Sequence, residues 1–366
     1  MSERLLEAVD VYRKVCELDT LGALAIYRDP TAYAALHPSK IRTIRDNPFL
    51  TSENECGQLL GVVGETIIGG VCPLPLEVVA DGRVYSAMCG SSLAVMKEFR
   101  CSGYGMDVLD KYRAISKDKI DINSGLSEDS KRLCKLLGKA VFPFYRRVLI
   151  RRVGHFTSYR KPILLWRGLT PFLNGLFFLH RACIKGILAG RFRGYRIREI
   201  HPEDHQMLEM CVGLVSADPH RFRQNVTIEW LRWVLKNEFR PVEKANKRLF
   251  GVTKNGRLVA FWLSKTDSGG EVGRIIEWQV AEGYEWMEHL ILLKAGIELL
   301  KVADVVTIDL DSEATYGILS RYLLPSMKGQ TCVVDADESS PLQNHKGFKE
   351  RKNWRIRPGW GDAAFY

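Results

Sequence analysis

The stretch Val95 to Met106 reads Val-Met-Lys-Glu-Phe-Arg-Cys-Ser-Gly-Tyr-Gly-Met, which sets an acid, an arginine and two closely spaced glycines between two regular patterns. The apolar run Ser92 to Met96 before it predicts a strand, and Tyr104, Val108, Tyr112 and Ile115 after it, at spacings of four, four and three, predict a helix. The glycine turn then sits at a helix N-terminus, where unpaired backbone N–H groups and the positive end of the helix dipole face outward together. Small residues let a diphosphate come close to that backbone, so the chemistry on offer is the holding of phosphate. A dinucleotide fingerprint would need a third glycine where Val108 stands, and a Walker loop would need Gly-Lys-Ser/Thr, which is absent.

What remains, V-x-x-E-[FY]-R-x-x-G-x-G, resembles the acyl-CoA cradle of the GNAT superfamily of N-acyltransferases. The resemblance implies an α/β (α+β) fold with a mixed, mostly antiparallel twisted sheet flanked by helices. It implies acetyl-CoA, or another acyl-CoA, as co-substrate and no metal. The backbone of Leu93, Ala94 and Val95 would hold the pantetheine arm and the developing oxyanion, and Arg100, Cys101, Ser102, Gly103, Tyr104, Gly105 and Met106 would cradle the pyrophosphate. An amine would attack the thioester directly, with a base to take its proton and an acid to protonate the leaving thiolate.

The resemblance also says where to seek that acid: a Tyr on the next helix, four residues before a Gly. The matching stretch Ser130 to Gly138 holds Cys134 there, and Lys131, Arg132 and Lys135 beside it would lower a thiol pKa from its usual value near 8.5. A small apolar residue packed on a sheet is the plain alternative for Cys134, and Tyr145 is the substitute acid. For the base, Glu98 lies in the motif and Glu77 in a preceding strand, while Asp81 beside Gly82 suits a turn.

At 366 residues, 46% of them hydrophobic, the chain is long enough for two cores. Its nine cysteines are scattered without a C-x-x-C pair, which argues against a disulfide framework or a zinc site and fits a reducing cytoplasm. The net charge of +10 is uneven: Ser130 to Arg198 carries seventeen Lys or Arg and no acid, leaving 36 Lys and Arg against 43 Asp and Glu elsewhere. Inside that block Ile163 to Leu188 is strongly apolar but interrupted by Arg167, Pro171, Asn174, His180, Arg181 and Lys185, which argues against a bilayer-spanning segment. Two readings fit residues 160–193: a connector that buries its apolar side between domains, which is the expectation, or a peripheral contact with the inner face of an anionic membrane. No nucleic-acid recognition motif accompanies the charge.

A second half follows the connector. Tyr195 to Asp204 reads as a strand running into a capped helix, and Leu249 to Ala260 as a hairpin turning at Asn255-Gly256, with a counterpart in Leu60 to Gly69. Val95 and Ser127-Glu128 recur as Val280 and Ser312-Glu313, all offset by 185 residues. The expected organisation is therefore an N-terminal GNAT domain over 1–155, a connector over 156–194, and a C-terminal GNAT-like domain over 195–366. After Val280 the cradle is replaced by Ala-Glu-Gly-Tyr-Glu-Trp-Met-Glu, whose acids would repel a diphosphate, so only the first half is expected to hold acyl-CoA.

The C-terminal run Asn353 to Tyr366 looks like the W-(x)n-D-x-x-F ending of GNAT-like proteins encoded with surface-polysaccharide enzymes, which implies aromatic faces for stacking on a sugar. Trp residues filling a core are the plain reading of the same run. The functional expectation is transfer of an acyl group, acetyl first among them, to a small amine such as an amino sugar. Its rivals are a non-catalytic scaffold of the same fold and an aminoacyl-tRNA-dependent transferase.

Overall fold

The computed structural model describes residues 11–14, 38–52, 55–63, 66–99, 103–124, 128–136, 138–152, 164–237, 247–267, 270–336, 340, 342, 345 and 347–359. In chain order the first half gives β1 (Val11–Lys14), α1 (Pro38–Arg45), β2 (Cys56–Val63), β3 (Thr66–Ala80), β4 (Arg83–Val95), α2 (Tyr104–Ile115), β5 (Ile120–Ser124), α3 (Glu128–Leu136) and β6 (Ala140–Ile150). A long helix, α4 (Leu164–Arg191), leads to the second half. There follow β7 (Arg196–Ile200), α5 (His205–Ser216), β8 (Phe222–Gln224), α6 (Ile228–Lys236), β9 (Lys247–Lys254), β10 (Arg257–Thr266) and β11 (Val272–Val280). The chain then gives α7 (Glu288–Leu299), β12 (Val305–Leu310), α8 (Glu313–Ser320), β13 (Ser326–Ala336) and β14 (Trp354–Arg355).

Local chemistry explains the boundaries. Asp204 and Ser312 cap α5 and α8 by accepting from the N–H of Met207 and Thr315. Asn255 and Gly256 both take positive φ, 51° and 79°, which is the two-residue turn that matches the right-handed twist of the β9–β10 hairpin.

The fourteen described strands form one mixed sheet, in the order β1-β2-β3-β4-β5-β13-β6-β12-β11-β10-β9-β7, with β8 joined to β3 and β14 to β8. It is mostly antiparallel and flanked by helices. Besides the short parallel pair of β14 with β8, the sheet holds two parallel pairs, β4 with β5 and β11 with β12, which share a register: Ala87–Ile120 and Met88–Asp121 become Val272–Val305 and Gly273–Val306 when 185 is added to each number. The closing strands are exchanged. β13 of the second half lies against β5 of the first, β6 of the first against β12 of the second, and β6 and β13 pair with each other in the middle.

The exchange makes one core common to both halves. On one face Leu74, Leu76, Ile120 and Phe142 pack with Leu208, Trp230, Phe261 and Trp354. On the other, α2 covers β2 to β4 through Val108 and Tyr112, while α7 and the C-terminal end of α4 cover the strands of the second half. Helix α4 buries one apolar side through Leu173, Phe177, Ile184 and Leu188 and is apolar on its outer side as well. Its inward side carries His180 and Arg181 bonded to backbone carbonyls, whereas Phe172, Leu176 and Leu179 face outward. Of the described helices it is the one long and apolar enough to cross a membrane by length and composition.

Candidate functional site

Parallel strands four and five stay together only briefly. The β4–β5 pairing stops at Met88–Asp121, and two residues further on the Gly90 N–H reaches across a widening gap to the side chain of Asn123, donating to Oδ1 at 2.9 Å. Beyond Gly90, among the described residues, β5 offers no ladder partner to β4. On its other edge β4 bulges: Gly70 opposes Ala94 but Cys72 opposes Ser91, so β4 spends one residue more than β3 there. A bulge re-aims backbone amides, and it falls at Ser92–Leu93, where the sequence places the thioester-holding backbone.

β4 leads on through a short 3₁₀ turn, Lys97–Phe99, to the start of α2. Gly103 caps that helix with φ of 96°, a left-handed conformation that glycine adopts without penalty, and no side chain caps the first turn. Gly105 is different. Among the described residues a Cβ there would meet only Val95 Cγ2, at 3.6 Å, an ordinary contact, so none of them requires glycine at 105. Of the two glycines one is demanded by the backbone and the other by nothing among the described residues, which leaves the first turn of the helix free of a β-carbon where a ligand could approach. Asp107 stands in the same first turn, exposed.

The remaining expected cradle residues are placed as follows. Leu93 and Met106 are exposed, Val95 and Tyr104 half-buried, and Tyr104 sits edge-on to Phe99 with ring centroids 5.8 Å apart. Ala94 holds its place in the register opposite Gly70. Arg100, Cys101 and Ser102 lie outside the described residues.

Behind the wedge is a buried polar cluster that sequence reasoning missed. Asp121 accepts from Tyr112 Oη at 2.7 Å, from Asn123 Nδ2 at 2.7 Å and from Lys139 Nζ at 2.6 Å, and Lys139 also lies 3.4 Å from Asp335. Burial and the Asp121 charge hold the Tyr112 hydroxyl well above its ordinary range, and the carboxylates raise Lys139 against the opposing effect of burial. This cluster fixes Asn123, and through it the point where β4 and β5 part. The available signal was Ile120-Asp121-Ile122-Asn123: a strand buried on both faces should read as a continuous apolar run, and this one alternates.

Cys134 lies on α3, half-buried, near enough to Asp121, Lys139 and Asp335 to feel their charges. Its thiol is pushed up, first by burial, and the lowering cations are Lys139 and Arg113 rather than Lys131, Arg132 and Lys135. The expected downward shift is therefore reversed, because the helix turns its thiol toward the sheet and away from its solvated neighbours. Glu98 is exposed on the 3₁₀ turn. Tyr145 is elsewhere: it pairs with Leu310 and Lys328 on β6 and packs against Tyr316 at 5.4 Å, three strands or about 14 Å of sheet from β4. Glu77 accepts from Asn225, and Asp81 binds Arg221 through two bonds of 2.9 Å and His345 at 2.7 Å, so both tie the first half to the second.

The second half has the same wedge, but it is filled. β11 and β12 part after Arg274–Thr307, and the segment Trp354–Gly359 lies between their ends. Arg355, fully buried, donates to Glu277, to Gln279 Oε1 at 3.0 Å and to the Trp278 carbonyl at 2.9 Å. Arg357 bridges the arms, 2.6 Å from Asp311 beyond β12 and 4.1 Å over the Trp278 ring on β11. The Gly359 N–H closes onto the Ile276 carbonyl at 2.7 Å. Asp218 joins this cluster, its carboxyl held low by His220 and Arg355 in spite of burial. Trp354 is buried against Phe222, Phe348 and Phe142, so it serves the core and offers no face to a sugar; Trp360 to Tyr366 lie outside the described residues.

No protein-family profile matches the chain, and no curated protein matches it in sequence. Solved structures do. N-myristoyltransferase of Saccharomyces cerevisiae with bound myristoyl-CoA superposes with a TM-score of 0.54 at 11% identity, covering 91% of this chain and 83% of that one. The chain shares the fold of that structure. A GCN5-related N-acetyltransferase from Kribbella flavida aligns with a TM-score of 0.50 at 14% identity over 89% of this chain and 70% of its own, and a probable N-acyltransferase from Enterococcus faecalis with 0.50 at 10% over 88% and 72%. At these identities the likeness is one of fold, and it extends through both halves of the chain.

Proposed function

We propose that this protein transfers an acyl group from acyl-CoA to an amine, using the first wedge alone. The observation that carries this reading is the contrast between the halves: β4 and β5 open toward a helix start capped by Gly103, whereas the equivalent opening of β11 and β12 is filled by Arg355, Arg357 and Gly359. The pantetheine arm would lie along the open edge of β4, the thioester carbonyl at the bulge, and the diphosphate on the first turn of α2. The solved structures support the acyl-CoA part of the reading, since one with this fold holds myristoyl-CoA.

Within that reading Cys134 is the proton donor to the departing thiolate. Its raised pKa keeps it protonated at neutral pH, the state a donor starts from, although the transfer to another thiol becomes less favourable for the same reason. Glu98 is the candidate base, exposed beside the cradle. The acetyl group and an amino-sugar acceptor are the finer proposal; burial of Trp354 withdraws its aromatic face from the support for a sugar.

The test is calorimetry with acetyl-CoA and longer acyl-CoAs, followed by release of free thiol over a panel of amines and amino sugars. One acyl-CoA bound per chain, with thiol released only when an amine is present, is the expected result. Two bound per chain would overturn the division between the wedges, and binding without turnover over the panel would leave a carrier or scaffold.

A further inference from the structure

Helix α4 is apolar on its outer side as well as its inner one. From Pro171 to Gly190 every exposed residue is apolar, glycine or cysteine except Lys185. Of the fourteen exposed large hydrophobic side chains among the described residues, six stand on this helix: Leu169, Phe172, Leu176, Phe178, Leu179 and Ile187. Phe172, Phe178 and Leu179 are each more than 60% exposed. A helix on the surface of a protein bathed only in water carries polar side chains on its outer side, and an exposed apolar patch of this extent marks an interaction surface.

The inward side shows how the helix must lie. Leu173 and Phe177 pack on Val148, Ile150 and Val305, His180 Nε2 meets the Tyr322 carbonyl at 2.6 Å, Arg181 donates to the carbonyls of Ile150 and Arg151, and Ile184 and Leu188 enter the core beside α7. The helix is thus held flat on the protein along its length. It cannot cross a bilayer without drawing the sheet in with it, so its apolar side faces outward as a strip parallel to the surface on which the protein rests.

Charge selects what covers it. The strip lies in the stretch from Ser130 to Arg198 that has seventeen basic residues and no acid, and exposed Lys185, Arg191 and Arg193 flank it. A second copy of the chain would bring the same cations against these, whereas an anionic lipid surface complements them. We infer that α4 is an interfacial membrane anchor: Phe172, Leu176, Phe178 and Leu179 enter the acyl boundary while Lys185, Arg191 and Arg193 meet anionic headgroups.

Flotation of the full chain with vesicles tests this. The protein floats with phosphatidylcholine mixed with phosphatidylglycerol and much less with phosphatidylcholine alone, and added salt weakens the association. Phe172→Glu combined with Leu179→Glu abolishes flotation. Because each basic side chain near an anionic surface is worth about a fivefold gain in affinity, Lys185→Glu with Arg191→Glu weakens it by about tenfold or more. Both variants change exposed positions only, and an unaltered thermal unfolding transition shows that they fold. Failure to float with the anionic vesicles overturns the inference, as does flotation that survives Phe172→Glu with Leu179→Glu. A lipid-free dimer in sedimentation that the same pair of substitutions splits also overturns it, since a second copy would then own the strip.

Discussion

Arg355 and Glu277 meet with no solvent exposure inside the wedge of the second half, whereas among the described residues the β4–β5 pairing of the first half simply ends at Met88–Asp121. A buried charge that loses its partner is left uncompensated, which costs about 3–5 kcal/mol, whereas replacing both members by apolar side chains of similar volume is often neutral or stabilising. Arg355→Met is therefore expected to lower stability in urea unfolding by about that amount, and the further change Glu277→Met to restore part of it, since Asp218, Gln279 and the Trp278 carbonyl also lose Arg355. An additive loss in the double variant would show that the two side chains act separately.

The two glycines of the cradle should separate stability from binding. At Gly103, φ of 96° makes any side chain strained, so Gly103→Ala is expected to cost about 1–2 kcal/mol of folding stability. At Gly105 a Cβ has room and valine is the better helix former of the two, so Gly105→Val costs little stability but fills the path of the diphosphate. Calorimetry should then find acyl-CoA binding weakened by tenfold or more in Gly105→Val, beside a nearly unchanged melting curve. Full affinity in that variant would remove the diphosphate from this turn.

The cluster behind the wedge predicts sensitivity to alkali. Tyr112 and Lys139 both titrate higher in the folded chain than their ordinary values of 10.0 and 10.5. The folded state thus holds protons that the unfolded chain releases first, so this stabilisation is complete below about pH 10 and is lost as pH rises through the folded values. Unfolding free energy measured from pH 8 upward should be level and then fall, and Tyr112→Phe with Lys139→Met should flatten that fall. A parallel decline in the variant would place the alkaline transition elsewhere.

Much of this site is local in sequence, and that part was legible. The strand, the glycine turn and the helix of Val95 to Ile115 follow from periodicity and from two glycines, and the hairpin at Asn255-Gly256 from one dipeptide. The constant offset of 185 residues likewise anticipated the matching registers of Ala87–Ile120 and Val272–Val305. What could not be read is what depends on distant pairing. Two closing strands of similar pattern satisfy either sheet equally, so nothing in Ala140–Ile150 or Ser326–Ala336 announces their exchange. The plug was half visible, in a lone Glu277 amid Ile275, Ile276 and Trp278 and in the alternation Trp354-Arg355-Ile356-Arg357, but joining the two needs the fold. Cys134 was misjudged for the same reason, since neighbours in sequence were counted where neighbours in space set the thiol.

Cys134 offers the most direct test of the chemistry. Proton transfer by a positioned side chain contributes about 10²–10⁴-fold, so Cys134→Ser, which keeps the size but raises the donor's pKa far above that of a thiol, should lower the rate of amine-dependent thiol release by about 10² or more while leaving acyl-CoA affinity unchanged. Cys134→Tyr would restore part of that rate, because a phenol titrates near 10 and the resembled enzymes carry Tyr at this position. Stability is the control: a half-buried thiol exchanged for a hydroxyl should cost no more than about 1–2 kcal/mol, far from what abolishes folding. Unimpaired turnover in Cys134→Ser would mean that solvent or another residue protonates the leaving thiolate, and Cys134 would then be one more small side chain packed against the sheet.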